Sequence, residues 1–249
     1  MVSVIIPCHN NNGTINRAVK SVLNQSYQDV EILIIDNGSD SMLELKKEFA
    51  DNERIKVLKV DSAIGVARAR NMGVQNATGE YIAFLDADDY WAEDKLKMQL
   101  KVLKEYRQDG EAPAICFSGR QFVNNKGKVL KHYIGCKKIV RYEDLLKSNQ
   151  INCSSVLMKR ETALLNVFPN GNLHEDYAVW LKILKKGGYA YGINQPLLYY
   201  RYERKSRSGN KLRSAAMNYR VYRYMGFGFK ESLKYMLSYT VKGIKKYIG

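Results

Sequence analysis

The first ninety residues alternate two kinds of segment, and that alternation constrains the fold more than any other feature of the chain. VSVIIP (2–7), EILIID (31–36), RIKVLKV (54–60) and YIAFL (81–85) are short runs rich in β-branched and aliphatic residues. Between them, TINRAVKSVLNQS (14–26) sets Ile15, Ala18, Val19, Val22 and Leu23 on one helical face. A helical stretch is predicted around 41–50, and another over IGVARARNMGVQNA (64–77). Strands that read as continuous apolar runs are covered on both faces, so the pattern predicts an α/β fold with a mostly parallel central sheet flanked by helices. Right-handed crossovers then bring the C-terminal ends of the strands to one edge, where ligands of such folds bind.

That edge is polar. The first strand ends at Pro7-Cys8-His9-Asn10, the second at Asp36-Asn37-Gly38-Ser39, and the fourth at Asp86-Ala87-Asp88-Asp89. Three carboxylates within four positions repel one another and raise each other's pKa unless a cation compensates them. Asp86 and Asp88 point the same way if the chain stays extended. A hard cation such as Mg²⁺ or Mn²⁺ takes one or two such carboxylates in phosphate sites. A lone D-x-D also arises as surface turn chemistry; its place directly after YIAFL favours the metal. A helix over AEDKLKMQLKVLKEY (92–106) follows.

From 112 to 200 the signals are mixed. Strands are predicted near AICFS (114–118), SSVLM (154–158) and PLLYYRY (196–202), with a helix over EDYAVWLKILKKG (175–187) ended by Gly187-Gly188.

Taken together, SVIIPCHNNNGTINRAVKSVLNQSYQDVEILIIDNGSD, GVARARNMGVQNATGEYIAFLDADDYWAEDKLKMQ and HEDYAVWLKIL (174–184) resemble a family 2 glycosyltransferase of the Rossmann-like GT-A fold. The resemblance implies transfer of a sugar from a nucleotide donor, usually a UDP-sugar, to a hydroxyl of a glycan or glycolipid acceptor, with inversion at the anomeric carbon. It places Pro7, His9 and Asn10 in the nucleotide pocket, Asp36 against the base, and Arg70 and Asn71 beside it. Many members carry a second Asp where this chain has Asn37, whose amide can still hydrogen-bond a uracil edge. Asp86 and Asp88, with Ala87 between them, match the metal–diphosphate motif, Asp88 being the ligand and Asp86 its partner. Asp176 matches the catalytic base and Glu175 a group orienting the acceptor, although carboxylates at a helix N-terminus also serve the dipole. The implied division is a transferase domain over 1–205, with a nucleotide-sugar half (1–105) and an acceptor half (106–205), and a basic, Tyr-rich helical C-terminal extension over 206–249.

The charge of +15 sits mostly in that extension. From Arg201 onward there are 13 Lys and Arg against Glu203 and Glu231, a net of +11. Leu233, Leu237, Val241, Ile244 and Ile248 form a helical stripe flanked by Lys230, Lys234, Lys242, Lys245 and Lys246. Two readings stand: a terminal helix packed on the domain, or a basic amphipathic helix on the anionic inner face of a cell membrane. The N-terminus MVSVIIPCHN lacks a signal peptide's basic start, and no apolar run approaches the ~20 residues that span a bilayer. A cytoplasmic, peripheral protein is the expectation.

Other classes fit less well. A dinucleotide-binding oxidoreductase needs G-x-G-x-x-G where PCHNNNGT has one glycine. A sugar-phosphate nucleotidyltransferase would carry a Gly-rich basic N-terminal signature that is absent here. A nucleic-acid-binding module would use the basic tail but leave the acidic rim repelling phosphates, so no nucleic acid partner is expected. Cys8, Cys116, Cys136 and Cys153 show no metal-like spacing and are expected as reduced thiols, and His9, His132 and His174 form no zinc pattern. Trp180, four residues after Asp176, is a candidate for the border of the acceptor cleft.

Overall fold

A computed structural model describes residues 1–202 and 211–248, with the side chains of 1–202 and 213–239. In chain order its elements are β1 (Val2–Cys8), α1 (Ile15–Leu23), β2 (Val30–Asn37), α2 (Lys47–Ala50), β3 (Ile55–Val60), α3 (Val66–Asn76), β4 (Tyr81–Phe84), β5 (Tyr90–Trp91) and α4 (Lys95–Glu105). There follow β6 (Ile115–Val123), β7 (Val129–Ile134), β8 (Ile139–Val140), α5 (Tyr142–Lys147), a short 3-10 turn (Cys153–Ser155), β9 (Leu157–Lys159) and α6 (Arg160–Leu165). The chain continues through α7 (Glu175–Lys185), β10 (Ala190–Arg201), α8 (Lys211–Tyr224) and α9 (Phe229–Ile248).

One sheet organises the described residues, in the order β3-β2-β1-β4-β9-β6-β10-β5, with β7 beside β6 and β8 beside β10. The four N-terminal strands run parallel, as do β6 and β10; β9, β5, β7 and β8 run antiparallel to their neighbours. The continuous apolar strands are two-faced, as expected. Val4, Ile6, Ile32 and Ile34 pack with α1 and α4 residues such as Val19, Val22 and Leu96. Their alternates Ile5, Leu33, Ile35 and Phe84 pack with Ala69, Val74, Tyr177 and Trp180 on the other face.

Register fixes the rim. Cys8 lies opposite Asp36 and Ile5 opposite Phe84, so His9, Asn37 and Asp86 emerge at neighbouring positions. Helix α7 sits beneath the sheet with its N-terminus toward this rim, and α8 and α9 pack against it and against α5. No helix among the described residues is long and apolar enough to cross a membrane.

Several expectations are corrected. Helix is found only at Lys47–Ala50 of the 41–50 stretch. Residues 40–46 are instead irregular and pinned by three asparagines: Asn10 Oδ1 accepts from Asp40 N (2.9 Å), Asn12 Oδ1 from Glu44 N (3.1 Å) and Asn16 Oδ1 from Lys46 N (2.8 Å). Asn12 and Asn16 also donate to Met42 O and Glu44 O, both at 3.0 Å. These amides stand in for a neighbouring strand, satisfying the backbone without a helix. Residues 154–155 of the predicted 154–158 strand belong to the 3-10 turn. The proposed boundary at 205/206, and the side chains of Val241, Lys242, Ile244, Lys245, Lys246 and Ile248, lie outside the described residues.

Candidate active site

The segment after β4 does not stay extended. Asp89 N donates to Asp86 O at 3.0 Å, closing a turn that separates the three carboxylates by environment. Asp86 and Asp88 keep side chains about one-third exposed at the rim, whereas Asp89 turns inward and is buried. Ala87 is buried between them. Asp89 Oδ1 accepts from Arg201 N at 2.9 Å, and its Oδ2 has no hydrogen-bond partner among the described residues. Burial first, then the neighbouring Asp88 and Asp86, pushes the Asp89 carboxyl well above the usual range. Asp89 is thus a brace between the turn and the end of β10.

Asp86 belongs to an ion triad whose other two members are buried. Arg70, on the inner side of α3, donates from Nη2 to Asp86 Oδ1 at 2.7 Å and from Nη1 to Glu175 Oε1 at 3.0 Å. Arg70 and Glu175 are both almost fully enclosed. One guanidinium therefore ties the turn after β4 to the start of α7, 105 residues apart in sequence. Asn71 works alongside it: its amide donates to Phe168 O at 2.9 Å and accepts from Phe168 N at 2.8 Å. Phe168 then packs edge-on against Phe84 and Trp180. Trp180 is fully buried in this cluster, so it does not border a cleft. The side chains of Arg70 and Asn71 are both engaged with protein groups.

Asp176 is half-buried in the first turn of α7 and its Oδ1 accepts from Tyr177 N at 2.7 Å. Its carboxyl is pushed up, by burial and by the adjacent Glu175 charge, against the opposing pull of His174 and Arg70. A carboxylate with raised basicity and partial access to solvent is able to take a proton from a hydroxyl. His174, just before the helix, is within 3.1 Å of Ser214 Oγ through Nε2. A cavity of about 310 Å³ opens beside this point, lined by Asn170, Gly171, Asn172, Arg213 and Met217.

The other half of the rim is a set of loop anchors. Pro7 lies within β1 opposite Ile35. His9 and Asn10 are exposed; His9 Nδ1 bonds Asn37 O at 3.0 Å, and Asn10 Nδ2 donates to Asp40 Oδ2 at 2.7 Å. Asp36 Oδ1 accepts from Ser39 N, and Asn37 Oδ1 from Ile64 N at 2.8 Å. Gly38 has φ +66°, and a Cβ there would stand 2.4 Å from Ala63 N. The 61–64 loop is therefore pressed onto the end of β2.

Two cations escaped the sequence reading. Arg17 Nη2 donates to Asp88 O at 3.1 Å and its guanidinium lies 4.9 Å from the Tyr90 ring centroid. Arg201 Nη1 approaches Asp88 Oδ2 at 3.9 Å. Arg201 became visible only through the pairing of β10 with β5, which carries the end of β10 to the acidic turn. The donor set is compatible with a divalent cation shared with a diphosphate. Asp86 and Asp88 offer hard oxygens at an accessible rim, and no cluster of three or more His, Cys, Asp and Glu among the described residues forms a complete cage.

A mostly parallel sheet whose rim joins a D-x-D turn to an acidic helix N-terminus defines a GT-A transferase. The model of glycosyl transferase family 2 matches residues 3–162, and the chain belongs to that family. TuaG of Bacillus subtilis (strain 168), a glycosyltransferase provisionally placed in teichuronic acid biosynthesis, is 35% identical over 249 residues, covering 99% of this chain and 97% of that protein. The UDP-Glc:α-D-GlcNAc-diphosphoundecaprenol β-1,3-glucosyltransferase WfgD of Escherichia coli is 35% identical over 251 residues, covering 99% and 95%. Among solved structures, residues 1–349 of S. aureus TarS with UDP-GlcNAc superpose with a TM-score of 0.73 at 16% identity, over 94% of this chain and 70% of that one. The chain is a glycosyltransferase enzyme.

Proposed function

We propose that this enzyme moves a hexose or N-acetylhexosamine from a UDP-sugar to a hydroxyl of a lipid-linked or glycan acceptor in bacterial surface polysaccharide synthesis, with inversion. The observation that carries the reading is the Arg70 bridge, which holds the D-x-D turn and the N-terminus of α7 on one rim. Donor and acceptor groups must meet within a few ångströms for direct displacement, and the bridge supports this by tying the two carboxylate-bearing segments together. The name of WfgD supports the donor and acceptor classes, and that of TuaG the surface-polysaccharide setting.

In this reading Asp88 and Asp86 hold a Mg²⁺ or Mn²⁺ ion, which when bound neutralises charge on the departing diphosphate. Asp176 accepts the proton of the acceptor hydroxyl. Glu175, fixed by Arg70, keeps α7 in register and raises the basicity of Asp176. Pro7, His9, Asn10, Asp36 and Asn37 border the nucleoside, with Asn37 Nδ2 available to a base edge while its Oδ1 is committed to Ile64.

Thermal-shift titration with UDP, with and without Mn²⁺, tests donor binding. Metal-dependent protection is expected for the native chain and its loss for Asp88→Ala. A nucleotide response that is absent with every metal refutes the assignment. A donor-hydrolysis screen across UDP-glucose, UDP-galactose, their N-acetyl forms and other nucleotide sugars then identifies the sugar.

A further inference from the structure

Helix α9 carries two apolar faces, and the fold uses one of them. Inward, Ser232 is fully buried and donates to Gly228 O at 2.8 Å. Tyr235 lies 5.6 Å from Tyr222 and 5.1 Å from Phe227, ring centre to ring centre, and Tyr239 lies 6.0 Å from Tyr177. Outward, Phe229, Leu233 and Leu237 follow one another at four-residue spacing and are 62%, 42% and 69% exposed. Lys230 and Lys234, both exposed, run beside that stripe. A terminal helix packed on its domain would turn its stripe of large aliphatic residues inward; here Leu233 and Leu237 remain in water while tyrosines make the packing.

A row of large apolar side chains rimmed by lysines is a surface built to be covered. Charge selects the cover. The region from Arg201 onward has a net charge of +11, so a second copy would bring like charges together. A nucleic acid would engage the lysines and leave Phe229, Leu233 and Leu237 in water. An anionic lipid surface satisfies both, taking the stripe at the acyl boundary and the lysines at the headgroups. We propose that the outer face of α9 docks on an anionic phospholipid bilayer and that this docking orients the acceptor cleft.

The orienting half rests on the lipid-linked acceptor proposed above; the docking half stands without it. The path between them is short and packed. Tyr177 OH and Tyr222 OH are 3.2 Å apart, both bond Leu146 O, and His174 bonds Ser214, which fastens α8 to the helix that bears Asp176; the Tyr239 and Tyr235 rings pack α9 onto Tyr177 and Tyr222. A bilayer under α9 therefore fixes the attitude of the acidic rim toward the membrane.

The test uses the full chain and vesicles of phosphatidylglycerol with phosphatidylcholine, against phosphatidylcholine alone. Co-sedimentation with the anionic vesicles is expected, weakened by salt. The triple change Phe229→Ser, Leu233→Ser, Leu237→Ser should lower partitioning by about tenfold or more. It should spare transfer to a water-soluble acceptor analogue and slow transfer to a lipid-linked acceptor embedded in vesicles. If the triple variant unfolds, Leu233→Trp decides: a blue-shifted emission quenched by brominated lipid supports docking, and an unchanged emission overturns it. Unaltered vesicle binding by a folded triple variant overturns the proposal. So does a native chain that ignores vesicles while self-associating through the stripe or binding DNA. Stripe-dependent vesicle binding by a chain inactive with every donor would instead leave docking standing and remove the transferase reading.

Discussion

Replacing Arg70 with methionine deletes the guanidinium between Asp86 and Glu175 while keeping an unbranched side chain in its place. The two bonds lost are unequal. The Glu175 side chain is 8% exposed, so water cannot replace the guanidinium there, whereas that of Asp86 is 34% exposed and water takes over much of the role. Removing one partner of a buried pair costs about 3–5 kcal/mol, nearly all of it here on the Glu175 side. For a chain of this size about 2–4 °C of melting temperature follows each kcal/mol, so Arg70→Met should melt on the order of 10 °C lower. The deficit arises from a buried carboxylate that loses its guanidinium. Losing a cation makes the neighbouring carboxylates easier to protonate, so the deficit should shrink as pH falls. Adding Glu175→Gln should recover part of the loss, because an amide leaves no charge behind. Differential scanning fluorimetry of the four variants of this cycle, across pH, measures each quantity. A melting point for Arg70→Met within a degree or two of the native chain (about 1 kcal/mol or less) would refute the keystone role. Strict additivity with Glu175→Gln would do the same.

Asp176→Asn should lower the transfer rate by about a hundredfold or more while leaving UDP protection intact, since it removes a proton acceptor and not a donor contact. Because the Asp176 pKa is raised, activity should fall as pH drops through a midpoint above the ordinary aspartate value, and Arg70→Met should move that midpoint higher. Glu31 accepts from Ser3 Oγ and from Thr78 N and Oγ1, which with Lys56 hold its carboxyl down at about 2 despite burial. A depressed folded pKa stabilises above the unfolded value and is lost as pH falls, so acid titration of stability between about pH 4.5 and 2 should flatten in Glu31→Gln. Gly38→Ala places a methyl against Ala63 N at a positive φ and should cost about 1–3 kcal/mol, read by urea denaturation.

The parallel half of the fold was legible because each strand announces itself twice, by β-branched composition and by a helical period on either side. VSVIIP and EILIID carry apolar residues on both alternations of the strand, Val4, Ile6, Ile32 and Ile34 on one face and Ile5, Leu33 and Ile35 on the other, because both faces are covered. The D-x-D and Glu-Asp segments were legible from their places at element ends. What the sequence hid was set by long-range partners. Residues 40–46 stay out of a helix because asparagines at 10, 12 and 16 reach across to them, a contact between segments about thirty residues apart. The exposed strand β7 lacks an apolar alternation, since only Ile134 of its six residues is buried. Trp180, on helix spacing, gave no hint of whether it faced a cleft or Phe84. The apolar stripe of α9 was visible, but its direction was not: among the described residues, Leu233 and Leu237 point away from the domain while Tyr235 and Tyr239 pack inward.

The stereochemistry of the transferred sugar bears most directly on the whole reading. A direct displacement assisted by Asp176, with the donor diphosphate leaving from the opposite face, requires an inverted anomeric centre. Proton NMR of the product formed from an α-linked UDP-sugar, recorded before mutarotation or in glycosidic linkage, should show a β-anomer that is absent with Asp176→Asn. An α-anomer in the product, or undiminished transfer by Asp176→Asn, would contradict it.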